Sequence, residues 1–183
     1  RRQFNGYLEI GSKGRYFRGL AGALELSGPT HFVDERPPGY SPVDLLERGQ
    51  VSKRGTHHAL DGYAPLALEI DSASVDLVTC FVGLHHMRVD QLGPFLASVQ
   101  RVLRPGGVFV VLDHHVTTPE MRTLVSLAHT VFNAGLGEAW ETNCSELRHF
   151  ESIQVWVDRL KASGFIDTGH RIRQDNDPTH NTL

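Results

Sequence analysis

The sequence predicts an α/β fold: a doubly wound, mostly parallel sheet with helices on both faces. Three observations carry that expectation. Short apolar runs rich in β-branched residues alternate with segments of helical periodicity along the whole chain, with no internal repeat and no interdomain linker. Residues 75–82 and 108–112 are almost continuously apolar, as parallel strands covered on both faces must be. Near the start, Tyr7-Leu8-Glu9-Ile10-Gly11-Ser12-Lys13-Gly14 runs from a strand-like segment onto a carboxylate and two glycines, ahead of helical character. Open α/β sheets hold nucleotide-like ligands at such strand–turn–helix junctions.

The 183 residues suffice for one domain with a sizeable core, and the chain reads as a single domain over 1–183. Apolar and charged contents of 40% and 21% are those of an ordinary globular protein. A net charge of −3 offers no basic field, so no nucleic-acid partner is expected. Cys80 lies in an apolar run and Cys144 in a polar one, far apart and without zinc-type spacing. Both read as unbridged thiols in a reducing, cytoplasmic compartment. No apolar run approaches the roughly 18–20 residues that span a bilayer, and no signal peptide opens the chain. It begins on Arg1 and stops at Leu183 just as a strand-like pattern starts, so it reads as a piece of a longer protein.

Taken in order, residues 6–11 form the first strand and 16–26 a helix carrying Phe17, Leu20, Ala21 and Leu24 on one face. Ser27-Gly28-Pro29 stops that helix, and 31–33 make a short strand ending at Asp34-Glu35. The prolines in 36–42 require a loop, 43–48 give one or two helical turns, and 57–62 a third strand turning at Asp61-Gly62. The buried strand 75–82 is followed by a helix over 91–103, with Leu92, Phe95, Leu96, Val99, Val102 and Leu103 on one face. Arg104-Pro105-Gly106-Gly107 reads as a sharp turn into the strand 108–112. A helix follows over 119–132, with Pro119 suited to its first turn, and a second over 151–162 ends at Ser163-Gly164. Residues 165–173 look like a final strand, and Thr182-Leu183 like the start of a returning one.

This order of motifs resembles the class I S-adenosylmethionine-dependent methyltransferases, in their small-molecule branch, over about residues 7–165. Its most specific part is Ser74-Val75-Asp76-Leu77-Val78-Thr79-Cys80-Phe81-Val82-Gly83-Leu84-His85-His86-Met87, followed by Arg101-Val102-Leu103-Arg104-Pro105-Gly106-Gly107-Val108-Phe109-Val110-Val111-Leu112-Asp113. The resemblance implies a Rossmann-like domain whose antiparallel edge hairpin is incomplete at Leu183, with S-adenosylmethionine as cofactor. It implies methyl transfer to a small-molecule acceptor. By the same resemblance, Glu9, Gly11, Ser12 and Gly14 form the cofactor loop, and Asp34 binds the ribose hydroxyls. Asp61 and Gly62 lie near the adenine, and Phe81 and Val82 line the adenosine or methionine part. The family pattern is Asp/Glu-x-Gly-x-Gly-x-Gly, whereas this chain has Glu9-Ile10-Gly11-Ser12-Lys13-Gly14-Arg15. Either the loop has lost a glycine, or Lys13 and Arg15 stand where glycines usually do.

Six of the eleven histidines form three adjacent pairs, His57-His58, His85-His86 and His114-His115. Ligands in open α/β sheets bind at the carboxyl ends of strands, which puts His85, His86, Asp113 and His114 at a rim facing the acceptor. They are the catalytic candidates, because a hydroxyl or acidic-carbon nucleophile must lose a proton and imidazole accepts one near neutrality. O- or C-methylation is favoured on that ground. Each of the four also has a plain packing role open to it. Asp113 and His114 form a candidate carboxylate–imidazole pair, although neighbours on an extended strand point oppositely. Adjacent histidines do not readily share one ion and no His-x-x-x-His spacing occurs, so no metal is expected, with a site assembled across strand ends as the alternative. Residues 121–150, with Phe132 and Trp140, suit a lid over an apolar acceptor. The other readings are a binding domain without turnover and a nicotinamide-dependent oxidoreductase; the residues 101–107 and His85-His86 speak against the last.

Overall fold

Strand β1 (Gln3–Ile10) is buried at each of its last five residues, the environment of a strand with neighbours on both edges and cover on both faces. The structure, a computed structural model, describes residues 2–49, 51, 54–179, 181 and 182. They fall into two compact units, Arg1–Phe81 with Val89–Val111 and Val82–Arg88 with Leu112–Leu183.

In the first unit β1 is followed by α1 (Phe17–Ala23), β2 (Glu25–Asp34), α2 (Pro42–Arg48), β3 (Thr56–Ala59), β4 (Val75–Phe81), α3 (Val89–Val102) and β5 (Leu103–His114). The strands run parallel in the order β3-β2-β1-β4-β5. The chain winds outward from β1 to β3, then crosses back to the other side of β1. The order therefore reverses between β1 and β4, where open α/β sheets leave a crevice for ligand. Phe4, Tyr7, Phe17, Phe32 and Leu77 form the core under α1, with Leu20, Ala21 and Leu24 packed on them. Helix α3 turns Leu92, Phe95, Leu96, Val99 and Val102 inward, as its periodicity predicts, whereas Leu103, expected on the same face, begins β5 because the helix ends at Val102. Its Arg101 binds the carbonyls of Leu66, Ala67 and Ile70 at 3.3, 2.9 and 2.6 Å, tying down the segment before β4.

Two sequence expectations fail here, for one reason. Helix α1 ends at Ala23, and Ser27-Gly28-Pro29 lies inside β2 instead of stopping a helix. Pairing with β1 begins at Gln3↔Glu25 and overrides the local helical periodicity. The register slips between Asn5 and Tyr7, a bulge where Pro29 costs no ladder bond. Arg104-Pro105-Gly106-Gly107 likewise opens β5 instead of standing as a separate turn. Arg104 is held there by Asp76, at 3.1 Å, and by the Asn5 carbonyl.

The second unit holds Val82, a 3-10 turn (Leu84–His86), the end of β5, α4 (Pro119–Gly135), α5 (Trp140–Ser145), α6 (Ile153–Ala162) and β6 (Asn181–Thr182). Thr118 and Ser152 cap α4 and α6 by accepting from the Met121 and Val155 amides. Val116, Val125 and Phe150 form its core with Met121 packed on it. Arg148 binds Glu146, Asn143, Thr130 and the Ser126 carbonyl, fastening the segment after α5 to α4. β6 pairs antiparallel with Asp113 and His114. The strand predicted over 165–173 does not form; Arg173 makes one isolated bridge to Thr182. Ile166 and Ile172 are 92% and 63% exposed, so the segment has no face to bury, and Asp167 engages the Gly169 amide and Arg171 locally. Leu183 lies outside the described residues. Among the described residues, no helix is long and apolar enough to cross a membrane.

Gly6 sits in the bulge at φ +91°, where an added Cβ would lie 2.4 Å from the Ser74 carbonyl oxygen and 2.7 Å from Val75 Cα. Backbone atoms cannot swing away, so Gly6→Ala combines left-handed strain with overpacking. The expected cost is about 3 kcal/mol, read from urea unfolding.

Candidate functional site

At the carboxyl end of β1, Tyr7 and Glu9 point to the same face because they are two residues apart on a strand. Tyr7 donates its hydroxyl to Glu9 Oε2 at 2.7 Å and receives one from Thr79 at 2.8 Å, Thr79 being the register partner of Glu9 on β4. Glu9 Oε1 accepts from the Ser12 hydroxyl and, at 3.3 Å, from the Tyr16 amide. Glu9 is fully buried, and that burial raises its pKa above the ordinary carboxylate value. The loop therefore folds back onto its own acidic residue. Lys13 is turned to Asp44 of α2 at 2.9 Å, and Arg15 lies over the Tyr16 ring. Gly11, at φ +79°, has open space where a Cβ would be.

Asp34 ends β2 half-buried, with Oδ1 accepting from the Arg36 amide at 3.1 Å. Asp61 and Gly62 follow β3 in an exposed turn closed by the Ala64 amide on the Asp61 carbonyl. Phe81 ends β4 with its ring 4.7 Å from that of Tyr16 and nearly perpendicular to it. In the second unit Val82 has φ +56°, a strained conformation for a β-branched residue, with its amide 2.6 Å from the Leu112 carbonyl.

The second unit gathers four imidazoles. His85 is fully buried, with Nδ1 2.7 Å from Asp113 Oδ1, and Asp113 also accepts from the His85 and His114 amides. The carboxylate–imidazole pair is thus His85–Asp113, and the expected pairing of Asp113 with the His114 ring is corrected. Adjacent side chains diverge, so the His114 ring turns instead to His129 Nε2, at 3.0 Å, and the Thr179 carbonyl. His86 Nδ1 meets the Leu147 carbonyl at 3.0 Å. Ring centroids of His85 lie 4.1, 5.1 and 4.8 Å from those of His86, His114 and His129. Phe150 packs against His85, His114 and His129.

Burial dominates the electrostatics of this cluster. It lowers the pKa of His85 far below the usual imidazole value, with His86 and His114 adding to the effect. It takes His129 down to about 3 and lowers His114 as well, so these rings are neutral at pH 7. It pushes Asp113 up to about 6. Sequence reasoning missed His129. The signal was there: His129 stands four residues from buried Val125, on the inward face of α4.

The comparisons with known proteins agree with this architecture. The family model described as "Methyltransferase domain" matches residues 47–111. An uncharacterized methyltransferase of Synechocystis sp. is 42% identical over 48 residues, 26% of this chain and 23% of that protein. The chain superimposes on the Burkholderia thailandensis 1,6-didemethyltoxoflavin-N1-methyltransferase, crystallised with 1,6-didemethyltoxoflavin and S-adenosylhomocysteine. There the TM-score is 0.63 and the identity 18%, over 99% of this chain and 69% of that one. The YcgJ protein of Bacillus subtilis gives 0.59 at 17% identity, over 94% and 67% of the two chains. Phosphoethanolamine N-methyltransferase 2 of Haemonchus contortus, in complex with S-adenosyl-L-methionine, gives 0.57 at 17% identity, over 97% and 36%. The matched stretch spans about a quarter of the curated relative. Residues 47–111 thus match a methyltransferase domain, and the fold is the one these methyltransferase structures share.

The raised pKa of Glu9 gives a signed expectation. The folded state holds the Glu9 proton more tightly than the unfolded chain, so this contribution to stability is complete below the ordinary value of 4.5 and is lost as pH rises through the folded value. Glu9→Gln removes it. The unfolding free energy of the variant, relative to the parent, should therefore increase from pH 4.5 upward in urea titrations; a constant difference would contradict the assignment.

Proposed function

We propose that this chain binds S-adenosylmethionine and transfers its methyl group to a small-molecule acceptor, by in-line displacement onto an oxygen or an acidic carbon. The observation that carries the reading is the glycine loop at the end of β1, where the strand order reverses. The residues there suit the cofactor. The open space at Gly11 admits close approach, and Asp34 has carboxylate capacity beyond its bond to the Arg36 amide for the ribose hydroxyls. Asp61 and Gly62 take the adenine edge, and Phe81 lines its path. Glu9 serves by fixing the shape of Ser12 to Gly14 through the bonds it accepts. Two solved structures of this fold support the choice of cofactor, one crystallised with S-adenosylhomocysteine and one with S-adenosyl-L-methionine. A small-molecule acceptor is supported by the first, which also holds 1,6-didemethyltoxoflavin.

When bound, the cofactor supplies an already activated methyl group on its sulfonium. The chain's own residues align the acceptor, exclude water and take up any proton the acceptor must lose. His86 is the base in this reading. Its Nδ1–H donates to the Leu147 carbonyl, so Nε2 carries the lone pair, and the side chain is 22% exposed. His85, held by Asp113, packs against the His86 ring with centroids 4.1 Å apart and so sets its position. Phe132 and Trp140, 55% and 65% exposed, supply apolar surface for a lid over the acceptor. The thiols of Cys80 and Cys144, neither in a disulfide, support a reducing cytoplasmic setting.

The inward turn of Glu9 favours one second reading, a domain that binds the nucleoside without turnover. Calorimetric titration with S-adenosylmethionine, S-adenosylhomocysteine and NADH separates these. Micromolar binding of both sulfur nucleosides is expected, weakened at least tenfold by Asp34→Ala, with none for NADH. Binding of NADH alone, or no binding by a folded sample, would overturn the proposal. Where the nucleosides bind, His86→Ala should lower the methyl-transfer rate by about 10²–10⁴-fold at unchanged cofactor affinity; binding with no transfer across an acceptor screen selects the second reading.

A further inference from the structure

The imidazole cluster of the second unit offers more than a proton acceptor. One ring nitrogen from each of His85, His114 and His129 lies within 4.8 Å of the other two. The closest pair, the Nε2 atoms of His114 and His129, are 3.0 Å apart. A tetrahedral ion with metal–nitrogen bonds of about 2.0–2.1 Å sets its ligand nitrogens about 3.3 Å apart, so small ring rotations bring all three into range.

The surroundings fix which nitrogens are available. Asp113 accepts from His85 Nδ1–H, which leaves the lone pair on Nε2, and that Nε2 is buried with no hydrogen-bond partner among the described residues. The Thr179 carbonyl accepts from His114 Nδ1–H, so the lone pair of His114 is also on Nε2 and faces His129. Without an ion, His129 Nε2–H fills that gap by donating to His114. The carboxylate behind His85 is the outer partner that metal-binding histidines typically have, and Phe150 walls the three rings with an apolar face. A second group, His86, His129 and Glu146, shares His129, so a single ion occupies one group or the other. Only the deeper group has the unpartnered nitrogen and the carboxylate behind it. Three neutral nitrogens with no carboxylate among them suit zinc and its neighbours in the first transition row, and not magnesium or calcium.

We propose that His85, His114 and His129 bind one divalent transition-metal ion of the zinc class, with Asp113 positioning His85 and the fourth coordination position left to water or another exogenous ligand. The ligand set shares no residue with the loop at β1, and the proposal does not rest on methyl transfer.

The test uses the tag-free, chelator-treated chain, titrated with Zn²⁺ by competition calorimetry and with Co²⁺ by visible absorption. One ion per chain is expected at micromolar affinity or tighter, with tetrahedral Co²⁺ bands and a Zn²⁺-dependent rise in melting temperature. His129→Ala and His114→Gln should each weaken binding at least 100-fold, and Asp113→Asn by about 10–100-fold. His58→Ala, in the separate His31–His58 pair, should leave it unchanged. Circular dichroism of the metal-free variants checks that they fold. His114→Gln, with a side chain that can still bond Thr179, decides the matter where His129→Ala does not fold. The proposal is overturned if the parent binds no ion, if His129→Ala and His114→Gln bind as the parent does, or if His58→Ala abolishes binding. It is equally overturned if His86→Ala and Glu146→Gln remove the ion while His85→Gln keeps it.

Discussion

A carboxylate sealed inside the end of the central strand governs the first unit. Removing Glu9 from water costs several kcal/mol unless its oxygens are met by donors, and the chain meets them with Tyr7, Ser12 and the Tyr16 amide. Two of those donors come from the turn itself. The turn must curl over the strand end to deliver them, and α1 starts directly afterwards at Phe17. Phe17 then lands between Tyr7 and Phe32, with ring centroids 5.9 and 5.8 Å away, so one satisfied charge also fixes where the first helix packs. The glycine spacing, which departs from the usual one, is compatible with this arrangement because the loop is organised around a side chain and not only around backbone amides.

The second unit solves the same problem with different groups. His85 and Asp113 are both inaccessible, and each supplies a hydrogen-bond partner the other needs there, with the His85 and His114 amides also bonding the carboxylate. Burial moves their pKa values toward each other, the imidazole down and the carboxyl up, so the pair sits nearer to neutral forms than either group would in water. The rings of His114, His129 and Phe150 close around it. A strained Val82 and a 3-10 turn at Leu84–His86 bring His85 to that position, and the end of β5 brings Asp113. Left-handed backbone at a β-branched residue persists only where the surroundings over-determine it.

From the sequence alone, the alternation of strands and helices, the buried strand at 75–81, the inward face of α3 and the junction at Glu9–Gly14 were legible; the strand through 108–112 was legible too, though it is only half-buried and not covered as expected. They rest on local periodicity and on residue types whose backbone preferences are strong. The resemblance to the methyltransferases was carried by the same segments. What could not be read was where pairing outweighs propensity. Ser27-Gly28-Pro29 looks like a helix stop, yet it lies in a strand because β1 runs beside it. Residues 165–173 look like a strand, yet they form none, and Arg173 makes an isolated bridge to Thr182.

The site divides along the same line. Sequence by itself determined which residues could do chemistry, because a strand-end carboxylate, a glycine turn and paired histidines are local facts. Only the tertiary structure decided their partners. Asp113 belongs to His85, 28 residues away, and not to the adjacent His114, since neighbouring side chains on a strand diverge. His129 joins the cluster from the middle of α4, where a single histidine carries no motif. A hydrogen bond across the fold depends on the packing of whole elements, and that packing is not written in any short stretch of the chain.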